Sequence, residues 1–237
     1  MASALEEEPT MRKTLGLCLL ALTLTAGTAQ AQGLFLEKGD RGISAVAGGA
    51  AIGTGWSASV APSYTYRGMF DVGVDLTWYG YNNSNSDANK LSAIGAMPFV
   101  NVYFLRAGDG PLPVSVSGTF AFEKRMFVGN GSEPNPDGWG MLLGGSLFRR
   151  MDFTNTFAGI PEIFLSYDLQ ATTWHSAANG ANAAVHNQGE ETKYQHKPRV
   201  FLRGNMAYKG DKLLYTVVPY VGYQTGFAVG ANLGAIF

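Results

Sequence analysis

The side chains able to do chemistry fall into two groups. One is a cluster in sequence: the histidines His175, His186 and His196 all lie in the stretch from His175 to Lys197, with Ser176, Glu190 and Glu191 close by. A histidine beside a serine can act as base and nucleophile, and several histidines together can hold a metal ion. The other group is dispersed and consists of opposite charges, Asp71, Asp75, Glu123, Glu162 and Asp168 against Arg125, Arg199 and Arg203. Such charges can conduct a proton or an ion, or they can pair and cross-link an interior.

Spacing weakens the catalytic reading of the first group. His175 and Ser176 are adjacent, so in an extended segment their side chains point to opposite faces. The three histidines follow no i, i+4 pattern and no cysteine accompanies them, which does not suit a metal site. The segment reads as a long solvated loop. No catalytic residue, metal or cofactor is therefore expected. A formal net charge of -1 offers no basic footprint for nucleic acid, and the many glycines form no phosphate-cradling motif.

The second group is positioned by a succession of alternating segments. Strands are expected at residues 43–51, 56–66, 70–81, 91–105, 114–127, 139–150, 163–174 and 199–208, with two more between 213 and 237. Trp56, Val60, Tyr64 and Tyr66 share one face of the second segment, and Phe70, Val72, Val74, Leu76 and Trp78 one face of the third, with Arg67-Gly68 turning the chain between them. The segment 91–105 shows no clear face. Long Asn, Ser and Gly-rich loops follow the third, fifth and seventh strands, and shorter turns follow the second, fourth, sixth and eighth. The turns near Thr54 and Thr225 are tight. Ten strands result, with eight as the alternative if a weak pair is lost.

By parity Asp71, Asp75, Glu123, Arg125, Glu162, Asp168, Arg199 and Arg203 lie on the faces opposite the apolar ones. Glu162 and Asp168 are expected to face Arg199 and Arg203 from a neighbouring strand. In a barrel of eight to ten strands side chains nearly fill the lumen, so a cross-linked polar plug is expected before an open path.

The beginning of the chain has a different character. Residues 1–10 read as an upstream leader or a mis-assigned start. Residues 11–31 read as a signal peptide, with Arg12 and Lys13 before an apolar run at 15–24 and Ala29-Gln30-Ala31 as the cleavage site. Residues 32–237 then form one domain. Cys18, the one cysteine, falls in the removable segment, so the exported chain would have neither disulfide nor thiol nucleophile. Gly 31, aromatic 12% and charged 15% favour strands and turns over soluble helices. The mean hydropathy of +0.01 is that of alternating strands rather than of apolar spanning helices.

The chain ends on Phe227, Val229, Ala231, Leu233, Ala235 and Phe237, every second residue apolar and the last one aromatic. In this ending, in the asymmetry of its loops and in its sorted aromatics, the chain resembles the small bacterial outer-membrane β-barrels. Trp56, Trp78, Trp139 and Trp174 fall at one end of the strands, and Tyr66, Phe70, Phe148, Tyr208, Tyr215 and Phe237 at the other, as two girdles would. Parity turns Trp174 inward, an exception to that pattern. The resemblance implies an all-β, antiparallel, up-and-down transmembrane barrel in the Gram-negative outer membrane. It also implies contact with outer-membrane lipid and lipopolysaccharide, and recognition of the strand ending at Phe237 by the barrel-assembly machinery. A structural or surface-interaction role follows, with an extracellular ligand at the loops; a narrow channel for small solutes is the alternative, and a lipid-modifying outer-membrane hydrolase the second. Nothing in the sequence selects an oligomeric state. Trp174-His175-Ser176 is faintly similar to the His and Ser of outer-membrane lipid A deacylases, where a residue separates the two. The Asp-x-His arrangement of omptin proteases is missing.

Overall fold

The computed structural model describes residues 34–52, 55–81, 91–107, 109, 113–128, 137–175, 190–223 and 226–237. The leader and signal segments expected at 1–31 lie outside these residues. Ten long strands follow in order: β1 Gly42–Ile52, β2 Gly55–Tyr66, β3 Phe70–Tyr81, β4 Leu91–Leu105, β5 Ser115–Val128, β6 Asp137–Phe148, β7 Phe157–His175, β8 Glu190–Lys209, β9 Leu214–Tyr223 and β10 Phe227–Ile236. A two-residue strand, Met151–Asp152, extends the turn between β6 and β7 by pairing with Ala158 and Gly159.

Each strand pairs antiparallel with the next, and β10 pairs with β1 from Ser44↔Ile236 to Ile52↔Ala228. The sheet therefore closes into an up-and-down barrel with no edge around its waist. Both ends of the described chain lie at one mouth, with the turns β2–β3, β4–β5, β6–β7 and β8–β9. At the first of these, Arg67 (φ 53) and Gly68 (φ 59) both adopt positive φ, and Met69 N donates to Tyr66 O at 3.0 Å. Positive φ at both central residues is the mark of a primed turn, and the register Tyr66↔Phe70 leaves Arg67, Gly68 and Met69 in the connection. The other mouth carries the connections β3–β4, β5–β6 and β7–β8.

Alternation sorts the side chains by face. Outward positions are apolar and exposed throughout, for example Val72, Phe120, Leu143 (65%), Leu165 (52%), Leu202, Leu233 and Phe237 (67%). Among the described outward side chains, charge appears near the loop mouth at the Lys124–Asp137 pair and at the terminus mouth at Arg41 and Arg67, which lie over the outward Tyr66 ring. Pro62, Pro98, Pro161, Pro198 and Pro219 are all exposed on this outward face, within strands where each removes a ladder donor.

Three sequence expectations need correction. The segment 91–105 has definite faces, with Ala93, Phe99, Asn101 and Tyr103 buried inward and Ile94, Val100 and Phe104 outward. Residues 190–197 are strand rather than loop, since β7 and β8 pair continuously from Phe157↔Tyr208 to His175↔Glu190. The turn after β6 also ends earlier than expected, because Phe157 to Gly159 already belong to β7. β7 and β8, with 19 and 20 residues, outreach their neighbours: β8 pairs with β9 only as far as Val200↔Tyr223.

Candidate functional site: the barrel lumen

Inward side chains stack in layers along the barrel. Nearest the terminus mouth is an apolar stopper in which Tyr103, Phe148, Ile160, Ala207 and Ile236 close around Leu34 and Phe35 from the segment preceding β1. That segment is tied down at several points. Gly39 N donates to Arg67 O at 2.9 Å, Arg150 Nη1 to Phe35 O at 3.4 Å, and Lys38 pairs with Asp109 at 3.4 Å. Arg106, in the adjoining turn, donates to Gly68 O and lies 4.2 Å over the Tyr103 ring. Burial lowers its pKa from the ordinary value, opposed by the nearby Tyr103 and Asp71. Sequence reasoning missed this stopper because Leu34 and Phe35 precede the first alternating segment.

A polar layer follows. Asp71 accepts from Thr65 Oγ1 at 2.7 Å and from Tyr103 Oη at 2.6 Å. Arg203 Nη1 donates to Glu162 Oε1 at 3.2 Å, and Asn205 Nδ2 to Glu162 Oε2 at 3.0 Å. Hydroxyl pairs Ser44···Ser63 at 2.6 Å and Ser117···Ser146 at 2.7 Å, with Thr119 donating to Asn101 Oδ1 at 2.7 Å, complete the ring.

At the waist lies a second apolar layer, drawn from eight of the ten strands: Ala50, Phe99, Ala121, Leu142, Phe164, Phe201, Tyr220 and Ala228. Its rings lie over glycines of neighbouring strands. A Cβ at Gly73 would stand 2.6 Å from Phe99 Cζ, one at Gly144 2.9 Å from Phe164 Cζ, and one at Gly222 or Gly230 would run into Phe201 or Tyr220. Glycine on the inner wall thus makes room for aromatic rings to fold flat and fill the lumen. The sequence reading found no phosphate-cradling motif in the glycines and did not find the rings that need them.

Above the waist, toward the loop mouth, the second set of charges meets. Arg125 Nη2 pairs with Glu123 Oε2, and Tyr79 Oη donates to Glu123 Oε1 at 2.9 Å. Glu123 Oε1 occupies the space a Cβ at Gly95 would need, 2.6 Å away. Arg199 Nη2 pairs with Asp168 Oδ2, which also accepts from Gln170 Nε2 at 2.6 Å, while Lys197 Nζ donates to Gln170 Oε1 at 2.8 Å. Asp75, fully buried, accepts from Thr77 Oγ1 at 2.8 Å.

All eight charged residues named from parity face the lumen. Glu162 meets Arg203 and Asp168 meets Arg199, whereas Glu123 finds Arg125 on its own strand and Asp71 and Asp75 are held by hydroxyls. The aromatics sort by end and mostly by face. Trp56, Trp78 and Trp139 are exposed near the loop mouth, with Trp56 and Trp78 rings 5.7 Å apart, and Tyr208 and Phe237 are exposed at the terminus mouth. Phe148 sits at that mouth too but points inward, 6.0 Å from Tyr103. The side chains of Trp174, His175, Glu190 and Glu191, and the residues Ser176 and His186, lie outside the description. His196 is on the outward face of β8, where its Nδ1 lies 2.6 Å from Tyr167 Oη.

No family model matches the chain, and no curated protein does. Among solved structures, CdiB from Acinetobacter baumannii is similar over 85% of this chain and 60% of that one, with 10% identity and a TM-score of 0.23. The chain thus spans about 60% of the length of CdiB. At that score the likeness carries no argument, and the closed ten-strand barrel stands on its own strand pairing.

Proposed function

We propose that this chain is an outer-membrane β-barrel whose lumen is closed and whose role is structural or lies in surface interaction at the loop mouth. The observation behind this reading is the inverted polarity of the barrel: ion pairs and hydroxyls inside, an apolar belt outside on every strand. Soluble proteins rarely expose apolar patches beyond a few hundred Å². A bilayer accepts such a face, provided that every backbone group finds its partner within a closed sheet. Exposed tryptophans near one mouth and Tyr208, Tyr215 and Phe237 near the other suit two lipid interfaces. On this reading the terminus mouth is periplasmic, β10 with Phe237 is the element offered to the assembly machinery, and lipid and lipopolysaccharide surround the belt. The β7–β8 ribbon stands out from the cell surface and is the part best placed to meet an extracellular ligand.

Cysteine labelling of intact cells tests this topology. Tyr194→Cys, on the exposed ribbon, should react with a membrane-impermeant maleimide. Lys212→Cys, in the β8–β9 turn, should react only after the outer membrane is permeabilised. Equal labelling of both sites in intact cells, or recovery of the protein in the soluble fraction, would overturn the assignment.

A further inference from the structure

We propose, on the membrane reading above, that the terminus mouth carries a binding site for an anionic glycerophospholipid, held through its phosphate by Arg41 and Arg67 on the outward face of the barrel.

The ring of Tyr66 organises the site. It ends β2 on the outward face, and the guanidinium carbons of Arg41 and Arg67 stand 5.0 and 5.3 Å from its centroid. Arg41 arrives by register: Ile43 pairs with Tyr64 and Gly42 with Thr65, so the residue before β1 comes level with Tyr66. Arg67 arrives by the turn that follows. Two like charges on one exposed ring repel each other, and the acids of the same region are engaged elsewhere. Glu37 pairs with Arg150 and Asp109 with Lys38, while Asp40 accepts from Glu37 N at 3.1 Å. Among the described residues, neither Arg41 nor Arg67 is in an ion pair. The outward cation at the loop mouth differs, since Lys124 has Asp137 at 3.2 Å.

Arg67 also sits on an unfavourable backbone. Its φ of 53 lies in the left-handed region, where glycine or asparagine fits at less cost. The backbone gives no reason for an arginine there, so the reason lies in its side chain.

Beside the two cations the surface turns apolar. Phe70 lies next to Tyr66 on β3, and Ile43, Tyr64 and Val72 form the next outward row toward the waist, all of them exposed. A ligand that fits both parts brings a phosphate to the guanidiniums and hydrocarbon chains to the belt. A headgroup with net negative charge suits the ring better than a zwitterionic one, whose ammonium would be a third cation there.

The test uses the full chain refolded in detergent and offered equal amounts of phosphatidylglycerol and phosphatidylethanolamine with matched acyl chains. Native mass spectrometry should show the first retained about tenfold over the second, the preference that two cations near a surface supply. Arg41→Gln combined with Arg67→Gly should abolish that preference. Glycine suits the turn, so the unfolding midpoint of this variant should not fall, which separates lost binding from lost fold. Lys124→Gln, at the loop mouth, should leave the preference unchanged. Equal retention of the two lipids by the parent chain would overturn the proposal, as would a preference that survives the double variant or falls equally in Lys124→Gln. Displacement of the lipid by millimolar inorganic phosphate would mean a phosphate site without lipid specificity, and would overturn it too. Cysteine labelling decides the membrane topology independently, so the failure of this site would leave that reading standing.

Discussion

Glu123 illustrates how the lumen tolerates charge. The residue is 6% exposed, its carboxylate is paired with Arg125 and bonded by Tyr79, and inward Gly95 leaves it the space to lie against the wall. Removing one partner strands the other. Arg125→Met should lower the unfolding free energy by about 3 kcal/mol, measured by urea titration of the refolded barrel, and adding Glu123→Gln should restore most of the loss. If the double variant is no more stable than Arg125→Met, the pair does not act as a unit. At this scale the sequence was informative where chemistry and parity coincide. A carboxylate and a guanidinium on facing inward positions must meet, as Glu162 and Arg203 do. It was silent on Phe99, Phe164, Phe201 and Tyr220, because an aromatic ring on an inward face gives no signal of its own until the glycine beneath it is known to be its neighbour.

The strands show why some elements were harder to read than others. β4 contributes to both apolar layers, with Phe99 at the waist and Tyr103 in the stopper, so its inward face is as apolar as its outward one and alternation fades. The ribbon residues 190–197 failed for the opposite reason. They extend past the apolar belt, both faces are polar, and only backbone pairing with β7 reveals a strand. That one-sided pairing has a dynamic consequence. Residues 190–199 pair with β7 but have no partner strand on the β9 side among the described residues, whereas 200–209 have partners on both sides along most of their length. Amide hydrogen exchange should therefore be at least tenfold faster at Tyr194 and Gln195 than at Phe201 and Leu202. Equal protection would mean that another segment completes the sheet there.

For the molecule as a whole, strand number and antiparallel order were legible, because both follow from turn chemistry and period-two alternation; the expected contrast of long and short connections is weaker, since residues 106–114 between β4 and β5 are as many as residues 82–90 between β3 and β4. Closure was expected from the resemblance to outer-membrane barrels but was not legible in any one segment, since the pairing of β1 with β10 joins segments at opposite ends of the chain and leaves no local trace. Nor was the way the lumen is filled. Two apolar layers, one of them anchored by Leu34 and Phe35, enclose a polar layer, and a network of charges lies above the waist. Sealing is the central claim of this account, and single-channel recording tests it directly. The full chain, refolded and inserted in a planar bilayer with its barrel verified by heat-modifiable mobility, should pass no resolvable current steps. Stable, reproducible steps from the verified barrel would contradict the sealed lumen and make the charged interior a conduit.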